Sequence, residues 1–346
     1  MTNAQAPTIH RRLISAADVA GAAQLACLLE SSAPKPGNVS PGRHFADARY
    51  EDFLASAAAI GGPLAGAGAR GVGATVRLAV EATARWTRSN TNLGIVLLLT
   101  PIARAALLEK GDGSLFPAPD EQNEGQKKAG GYLLPAWEKR PVPFFLGLRD
   151  ALRGVLEATT VADARDVYAA IRRAAPGGLG RVEAQDVASE PTITLLDAMR
   201  LAANRDRIAH EYATAFDVTF GTGAPALDRA RGAGLSWDDA IVETFLTLLA
   251  THPDTHVARR GGAALAAEVS ERARSVLASG GLGSAAGRRA IEEMDRRMRD
   301  TRNTANPGTT ADLTAAAIFV VLLGGGWSQS HALRQPDEAF SGRERR

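Results

Sequence analysis

Apolar and polar positions along most of the chain recur three and four apart, the period of a helix with one buried face. Ser15 followed by Asp18 has the form of a capping box. It precedes a helix that turns Leu25, Leu28 and Leu29 to one side. Pro34-Lys35-Pro36-Gly37-Asn38 ends that helix, because two prolines in three residues remove the amide donors that a further turn needs. Tyr50, Phe53, Leu54, Ala57 and Ile60 mark a second helix. A Gly-rich joint follows at 61–71, then Val72, Val76, Ala79, Val80 and Thr83 mark a third. Asn90 is placed to cap a fourth, whose start is apolar on all sides and therefore predicts burial.

Residues 111–142 break the pattern. Gly, Pro, Lys and Glu dominate there, which predicts a long loop or insertion. Helices are expected again near 143–159 and 163–175. Beyond the Pro176-Gly177-Gly178 break, one strong helix is expected over 191–216. Ser236 and Asp239 open another, with Ile241, Phe245, Leu248 and Leu249 inward, and further helices are expected near 261–279, 284–302 and 309–324. Strand-like alternation is almost absent, and no fixed-period repeat is present. The pattern predicts an all-α fold: a single compact multi-helix domain of roughly ten helices. It would span 13–330, with mobile tails at 1–12 and 331–346.

Composition sharpens this picture. Ala, Leu and Arg are abundant helix formers, and aromatic residues make up only 5% of the 346 residues. Cys27 is the one cysteine, which excludes a disulfide framework and a multi-Cys metal site. Forty basic against 38 acidic residues give a net charge of +2, which argues against a general nucleic-acid binder. The strongly apolar run Ile95 to Leu99 is far too short to span a bilayer, and no apolar signal segment stands at the N-terminus. A cytoplasmic protein with no membrane or nucleic-acid partner is expected.

Candidate chemistry is scattered. Gly66-Ala67-Gly68-Ala69-Arg70-Gly71 matches G-x-G-x-x-G, but an Ala-rich helix precedes it instead of a strand, and Glu81 comes too early for the ribose acid. A helix–helix joint is expected there, with a phosphate loop at a helix N-terminus as the alternative. His252 and His256 have a zinc-compatible spacing, but Pro253 favours a helix start between them. Asp254 before Arg259, Arg260, Gly261 and Gly262 reads either as a capped helix start or as a carboxylate holding Mg2+ beside phosphates. Thr309 and Asp312 read either as a capping-box pair or as a helix start facing a ligand. On the helix over 191–216, Asp197, Arg200, Asn204, Arg207 and Glu211 share one face, either solvated or lining a cleft. The arginines at 288–299 alternate with acids as on a solvated face, and Cys27 belongs to an apolar side.

Four segments in fixed order add a family likeness. Pro34-Lys35-Pro36-Gly37-Asn38-Val39-Ser40 comes first, then Asn90-Thr91-Asn92-Leu93-Gly94. Asp254-Thr255-His256 with Arg259-Arg260-Gly261-Gly262 follows, and Asn306-Pro307-Gly308-Thr309-Thr310-Ala311-Asp312-Leu313 closes the set. Together they resemble the triphosphoribosyl-dephospho-coenzyme A synthase family over about residues 15–325. The resemblance implies an all-α enzyme that joins the triphosphoribosyl part of ATP to dephospho-CoA and releases adenine. In that family the product is the precursor of the prosthetic group on the acyl carrier subunit of citrate lyase or malonate decarboxylase.

The chain also departs from that pattern. The citrate-lyase branch reads Asn-Thr-His-Lys-Gly where Asn90-Thr91-Asn92-Leu93-Gly94 stands here. It reads Ser-Pro-Gly-Gly-Ser where this chain has Asn306-Pro307-Gly308-Thr309-Thr310. With the insertion at 111–142, these differences indicate a divergent subgroup similar to homologues in methanogens and methylotrophs.

Carried onto this chain, the resemblance implies Mg2+ with ATP as substrate, and it nominates residues. Asp254 and Asp312 are the candidates for metal binding or for stabilising an oxocarbenium-like sugar. Glu81 matches a glutamate of the family pattern and is the candidate base for the acceptor hydroxyl. Lys35, Arg259 and Arg260 are candidate phosphate ligands. Asn90 and Asn92 would position sugar or phosphate oxygens, and Gly37, Asn38, Thr91 and Gly308 complete the binding motifs. Two further readings stay open: another Mg2+-dependent nucleotide enzyme, for example in C1-carrier (methanopterin-type) cofactor synthesis, and a non-catalytic helical binding protein. A homodimer is compatible with either.

Overall fold

The computed structural model describes residues 14–108, 142–178, 180 and 182–327. The expected tails, and all of the expected insertion at 111–142 except its last residue, lie outside the described residues. Among the described residues there are fourteen α-helices and no β-strand, so the all-α expectation holds. The count exceeds the roughly ten expected from periodicity.

Local signals explain most boundaries. Helix α1 (Ala16–Ser32) starts on the Ser15–Asp18 capping box, with the Asp18 amide donating to Ser15 Oγ at 3.1 Å. It packs against α2 (Tyr50–Ala65) and against α14 (Gly308–Leu323). Helix α2 runs through Gly61, Gly62 and Pro63, so the joint before α3 (Val72–Thr83) is shorter than the expected 61–71. A 3-10 turn at Ala67–Ala69 fills it, and Arg104 Nη1 donates to the carbonyl of Ala67 at 3.0 Å. The G-x-G-x-x-G match is therefore a helix–helix joint.

Helix α4 (Leu93–Leu108) and α14 are apolar nearly all round and mostly buried; they touch each other at the centre of the core. Around them stand α5 (Val142–Glu157) and α6 (Val161–Ala174). The shorter α7 (Leu195–Ala202), α8 (Arg207–Thr214) and α9 (Ala224–Gly232) follow. On the other flank are α10 (Trp237–Thr251), α11 (Thr255–Gly261), α12 (Ala263–Ala278) and α13 (Ala285–Met298). No helix among the described residues is long and apolar enough to cross a membrane.

The single helix expected over 191–216 is two helices. Asp206 accepts hydrogen bonds from the amides of Ile208 at 2.9 Å and Ala209 at 3.1 Å, and so starts α8 afresh. The predicted polar face does not exist as one face. Asp197 and Arg200 pair with each other on the exposed side of α7. Glu211 is fully buried and accepts from the amides of Val218 and Thr219, each at 2.9 Å. It thereby holds the π-helical turn Thr219–Gly223 that leads into α9. On α13 the expected surface ion pairs form between Arg297 and Glu293 and between Arg288 and Asp239, but Asp295 of the same set is buried and pairs with Arg299, so that part of the predicted solvated face is internal.

Candidate active site

The loop after α1, the starts of α4 and α14, residues 175–177, 180 and 182–188, and α7, α8 and α11 enclose a cavity of about 1120 Å³. Both long central helices open onto it: Leu93 and Gly94 at the start of α4, and Gly308 and Thr309 at the start of α14. Two helix N-termini facing one hollow give it a positive end that suits anions.

Asp312 lies on this wall. The capping reading of its motif fails, because α14 starts at Gly308 with Pro307 before it and no side chain caps it. Thr309 instead accepts a hydrogen bond from Thr255 Oγ1 at 3.2 Å. Freed from capping, the Asp312 carboxylate packs over Gly94. A methyl group at Gly94 would sit 2.0 Å from Asp312 Oδ2, so only glycine leaves room for the acid. Burial holds the Asp312 carboxyl well above the usual carboxylate range; the nearby charges of Glu30, Asp254 and Asp206 add to this, and Arg259 opposes it.

Glu30 lines the same cavity from the last turn of α1. Its Oε1 is 3.0 Å from Lys35 Nζ, and both side chains are almost completely buried. Lys35 also donates to the carbonyls of Glu30 and Ala33 and does not line the cavity. Its expected role as a phosphate ligand gives way to that of counter-charge for Glu30. Gly37 is likewise a fold residue. Its φ of +72° favours glycine, and its amide donates to Asp295 Oδ1 at 2.8 Å.

Asp254 also falls outside the cavity lining. Oδ1 accepts from the Val257 amide at 2.9 Å and so caps α11. Oδ2 accepts from both the amide and the hydroxyl of Thr310, each at 2.7 Å. At 2% exposure, this carboxylate is occupied in tying α11 to α14. Glu81 lies apart from the cavity, half-exposed on α3 and 3.7 Å from Arg77.

The remaining nominated residues do converge. Asn38, Asn90, Thr91, Asn92, Arg259, Arg260, Gly308 and Asp312 all line the cavity. Asn90 Oδ1 accepts from the Leu93 amide at 3.2 Å, as its capping role requires. Asn92 Nδ2 donates to Thr83 Oγ1 at 3.1 Å. Asn38 Nδ2 donates to Asn306 Oδ1 at 2.8 Å, which links the first and last motifs. Arg259 donates through Nη1 to Asp206 Oδ2 at 2.6 Å, while its buried Nε makes no hydrogen bond. Arg260 donates to the carbonyl of Arg302.

Sequence reasoning missed three residues here. Glu30 carried a signal, a lone carboxylate directly after the apolar run Leu25–Leu29 and shortly before the prolines. Asp206 was hidden inside the expected long helix. His256 was given a role only as half of a zinc pair, although it also stands in the third family motif, and it lines the cavity. Its Nδ1 is 3.0 Å from the carbonyl of Asn306, and since a carbonyl only accepts, Nδ1 carries the proton. Burial lowers its pKa, with Asp254 opposing, so the ring is neutral near pH 7 and Nε2 holds a free lone pair. His252 ends α10 and His256 is on α11. Among the described residues no set of three metal-ligating side chains occurs, so the zinc reading finds no support.

A helical protein with a nucleotide-scale hollow lined by both carboxylates and guanidinium groups is the class that fold and cavity define. The pattern of the ATP:dephospho-CoA triphosphoribosyl transferase family matches residues 16–331, and the chain belongs to that family. It is 40% identical over 111 residues to a probable 2-(5''-triphosphoribosyl)-3'-dephosphocoenzyme-A synthase of Pseudomonas paraeruginosa, covering 31% of this chain and 37% of that one. A protein of the same description in Pseudomonas putida is 39% identical over 105 residues, covering 30% and 37%. The chain thus matches little more than a third of the length of these relatives. A crystal structure described as a putative triphosphoribosyl-dephospho-coA synthase, from Archaeoglobus fulgidus, superposes with a TM-score of 0.54 at 25% identity. It covers 79% of this chain and 99% of that one.

Proposed function

We propose that this protein transfers the triphosphoribosyl group of ATP to a ribose hydroxyl of dephospho-CoA, with release of adenine. The observation that carries the reading is the convergence of Glu30, Asp312, Asn90, Asn92, His256 and Arg259 on one cavity that two helix N-termini enter. In the reaction the bond from C1′ of ATP's ribose to adenine breaks, and its electron pair leaves with adenine. The acceptor oxygen bonds to C1′, and the hydroxyl proton ends on the adenine. Positive charge builds on the sugar between those events, where the carboxylates of Asp312 and Glu30 face it. Arg259, Arg260 and the positive ends of α4 and α14 hold the triphosphate. His256 Nε2 takes the acceptor proton in place of the nominated Glu81, which lies outside the cavity.

Mg2+ fits this site. Asp312 accepts no hydrogen bond from the described residues and offers hard oxygen donors beside Glu30. One or two carboxylates plus phosphate oxygens is the usual protein share of a Mg2+ shell. Asp312 would hold the ion, and Asp254, fully engaged with α11 and α14, would not. When bound, the ion supplies charge neutralisation for the triphosphate.

The test is free adenine, followed by chromatography, in mixtures of the protein, ATP and Mg2+ with and without dephospho-CoA. Release that requires dephospho-CoA is expected. Release at the same rate without it would make the protein a nucleotide hydrolase, and no release under either condition would overturn the reading.

A further inference from the structure

The cavity exceeds the about 300–1,000 Å³ of an ordinary small-molecule site, and its two halves differ in chemistry. The half described above is acidic and cationic. The other is built by α6, residues 182–188 and α7, and is mostly apolar: Ile171, Val182, Val187, Met199 and Leu201 face it.

This second wall is fixed in place. Tyr168 Oη donates to the carbonyl of Gln185 at 2.6 Å, and Arg172 donates to the carbonyl of Val187 at 2.8 Å. The Asp186 carboxylate accepts from the amides of Val182 and Ala188, both at 2.8 Å. Gln185, at a φ of +55°, exchanges two hydrogen bonds with Thr192. A loop held from both sides presents a preformed surface, which lowers the cost of binding a flexible ligand.

Its charge excludes a second triphosphate. Among the described residues of this half the cations are Arg172 and Arg205, and Arg172 is engaged with Val187 and lies 3.6 Å from Glu190. Arg205 stands where the halves meet: it precedes Asp206, the partner of Arg259, and its charge reaches Tyr168 in the apolar half. Leu201 lines the same half although 61% of it is exposed, so an apolar contact surface is left open to an incoming molecule.

We infer that the α6–α7 half of the cavity binds the pantetheine arm of the acceptor, with Arg205 at its diphosphate. The acceptor class is then a nucleoside diphosphate carrying a long, largely apolar amide chain. This rests on the proposed transfer to dephospho-CoA and adds the direction in which that molecule lies. Its ribose hydroxyl is at Asp312 and His256, its diphosphate is at the junction, and its thiol end is beyond Leu201.

Steady-state adenine release by wild type and Leu201→Asp tests the assignment. Loss of one leucine contact on an apolar chain predicts roughly a tenfold rise in KM for dephospho-CoA. KM for ATP and kcat should stay within about twofold of wild type. A rise in KM for ATP instead, or no change in either constant, overturns the inference. Calorimetry with 4′-phosphopantetheine as probe reads the same half without turnover. Wild type should bind it, Leu201→Asp about tenfold more weakly, and Asp312→Asn as well as wild type. If no adenine is released under any condition, the transfer reading fails, and the calorimetry alone then decides. Absence of phosphopantetheine binding to wild type, or equal binding to Leu201→Asp, refutes the assignment. Because Leu201 is exposed, an unchanged melting temperature serves as the folding control.

Discussion

Asp254 and Asp312 belong to motifs of the same kind, yet the structure predicts opposite consequences for their removal. In Asp254→Ala the N-cap of α11 is lost, worth about 1 kcal/mol. The buried amide and hydroxyl of Thr310 lose their shared acceptor, at a cost of about 1–3 kcal/mol. The combined destabilisation is about 3 kcal/mol. With an unfolding entropy near 2.1 cal/mol/K per residue, a chain of 346 residues should lose about 4 °C of melting temperature. Asp312→Asn removes no hydrogen bond among the described residues and relieves repulsion from Glu30, Asp254 and Asp206. Its melting temperature should equal or exceed wild type, while adenine release falls about a hundredfold or more. A pH series adds a signature. The folded-state pKa of Asp312 lies above its unfolded value, so its contribution to stability declines as pH rises out of the ordinary carboxylate range. Asp312→Asn should lack that part of the decline. Differential scanning fluorimetry from pH 4 to 8 alongside the adenine assay measures both. The reasoning is refuted if Asp254→Ala melts with wild type while losing turnover, or if Asp312→Asn unfolds early.

Three further outcomes follow from single contacts. Gly94→Ala should reduce turnover strongly and stability by about 1–3 kcal/mol, because the new methyl collides with Asp312 Oδ2 and approaches Ile208 Cδ1 to 2.8 Å; paired denaturation and activity curves would show it. Glu211→Gln should cost about 1–3 kcal/mol in urea titrations at pH 5, since one of two amide donors loses its acceptor. Burial pushes the Glu211 carboxyl up to about 7, above its unfolded value, so wild-type stability falls as pH rises from the ordinary carboxylate range toward 7, and the variant should show a flatter slope there. His256 titrates below the usual histidine range, so NMR should find it neutral at pH 7 with the proton on Nδ1; its contribution to stability is lost as pH falls through that lowered value.

Much of this architecture was legible from periodicity. The capping box at Ser15, the opening of α10 at Ser236 and the all-round apolar start of α4 each follow from local chemistry that tertiary packing did not override. The break at Asp206 was not legible, because Asn204-Arg205-Asp206 is as compatible with a helix surface as with a new N-cap. The site was legible as a set of motifs and much less so as roles. Asp254 and Lys35 are the residue types that phosphate and metal chemistry use, but both are consumed by neighbours: Thr310 and Val257 for one, Glu30 for the other. Only the fold could reveal which charges remain unspent. His256 and Glu30 acquire their positions from contacts far along the chain, which no local pattern encodes.

The bond from Asp254 to Thr310 joins the helix that carries His256 and Arg259 to the helix that carries Asp312. Those groups are therefore held to one another through a single buried carboxylate. The opposite wall, α6 with the segment 182–188, is cross-linked by its own separate bonds. Under the proposed assignment, substitutions there change which acceptor chain fits and leave the contacts of Asp254 unaltered. Relatives with unlike substrates could thus diverge along that wall alone.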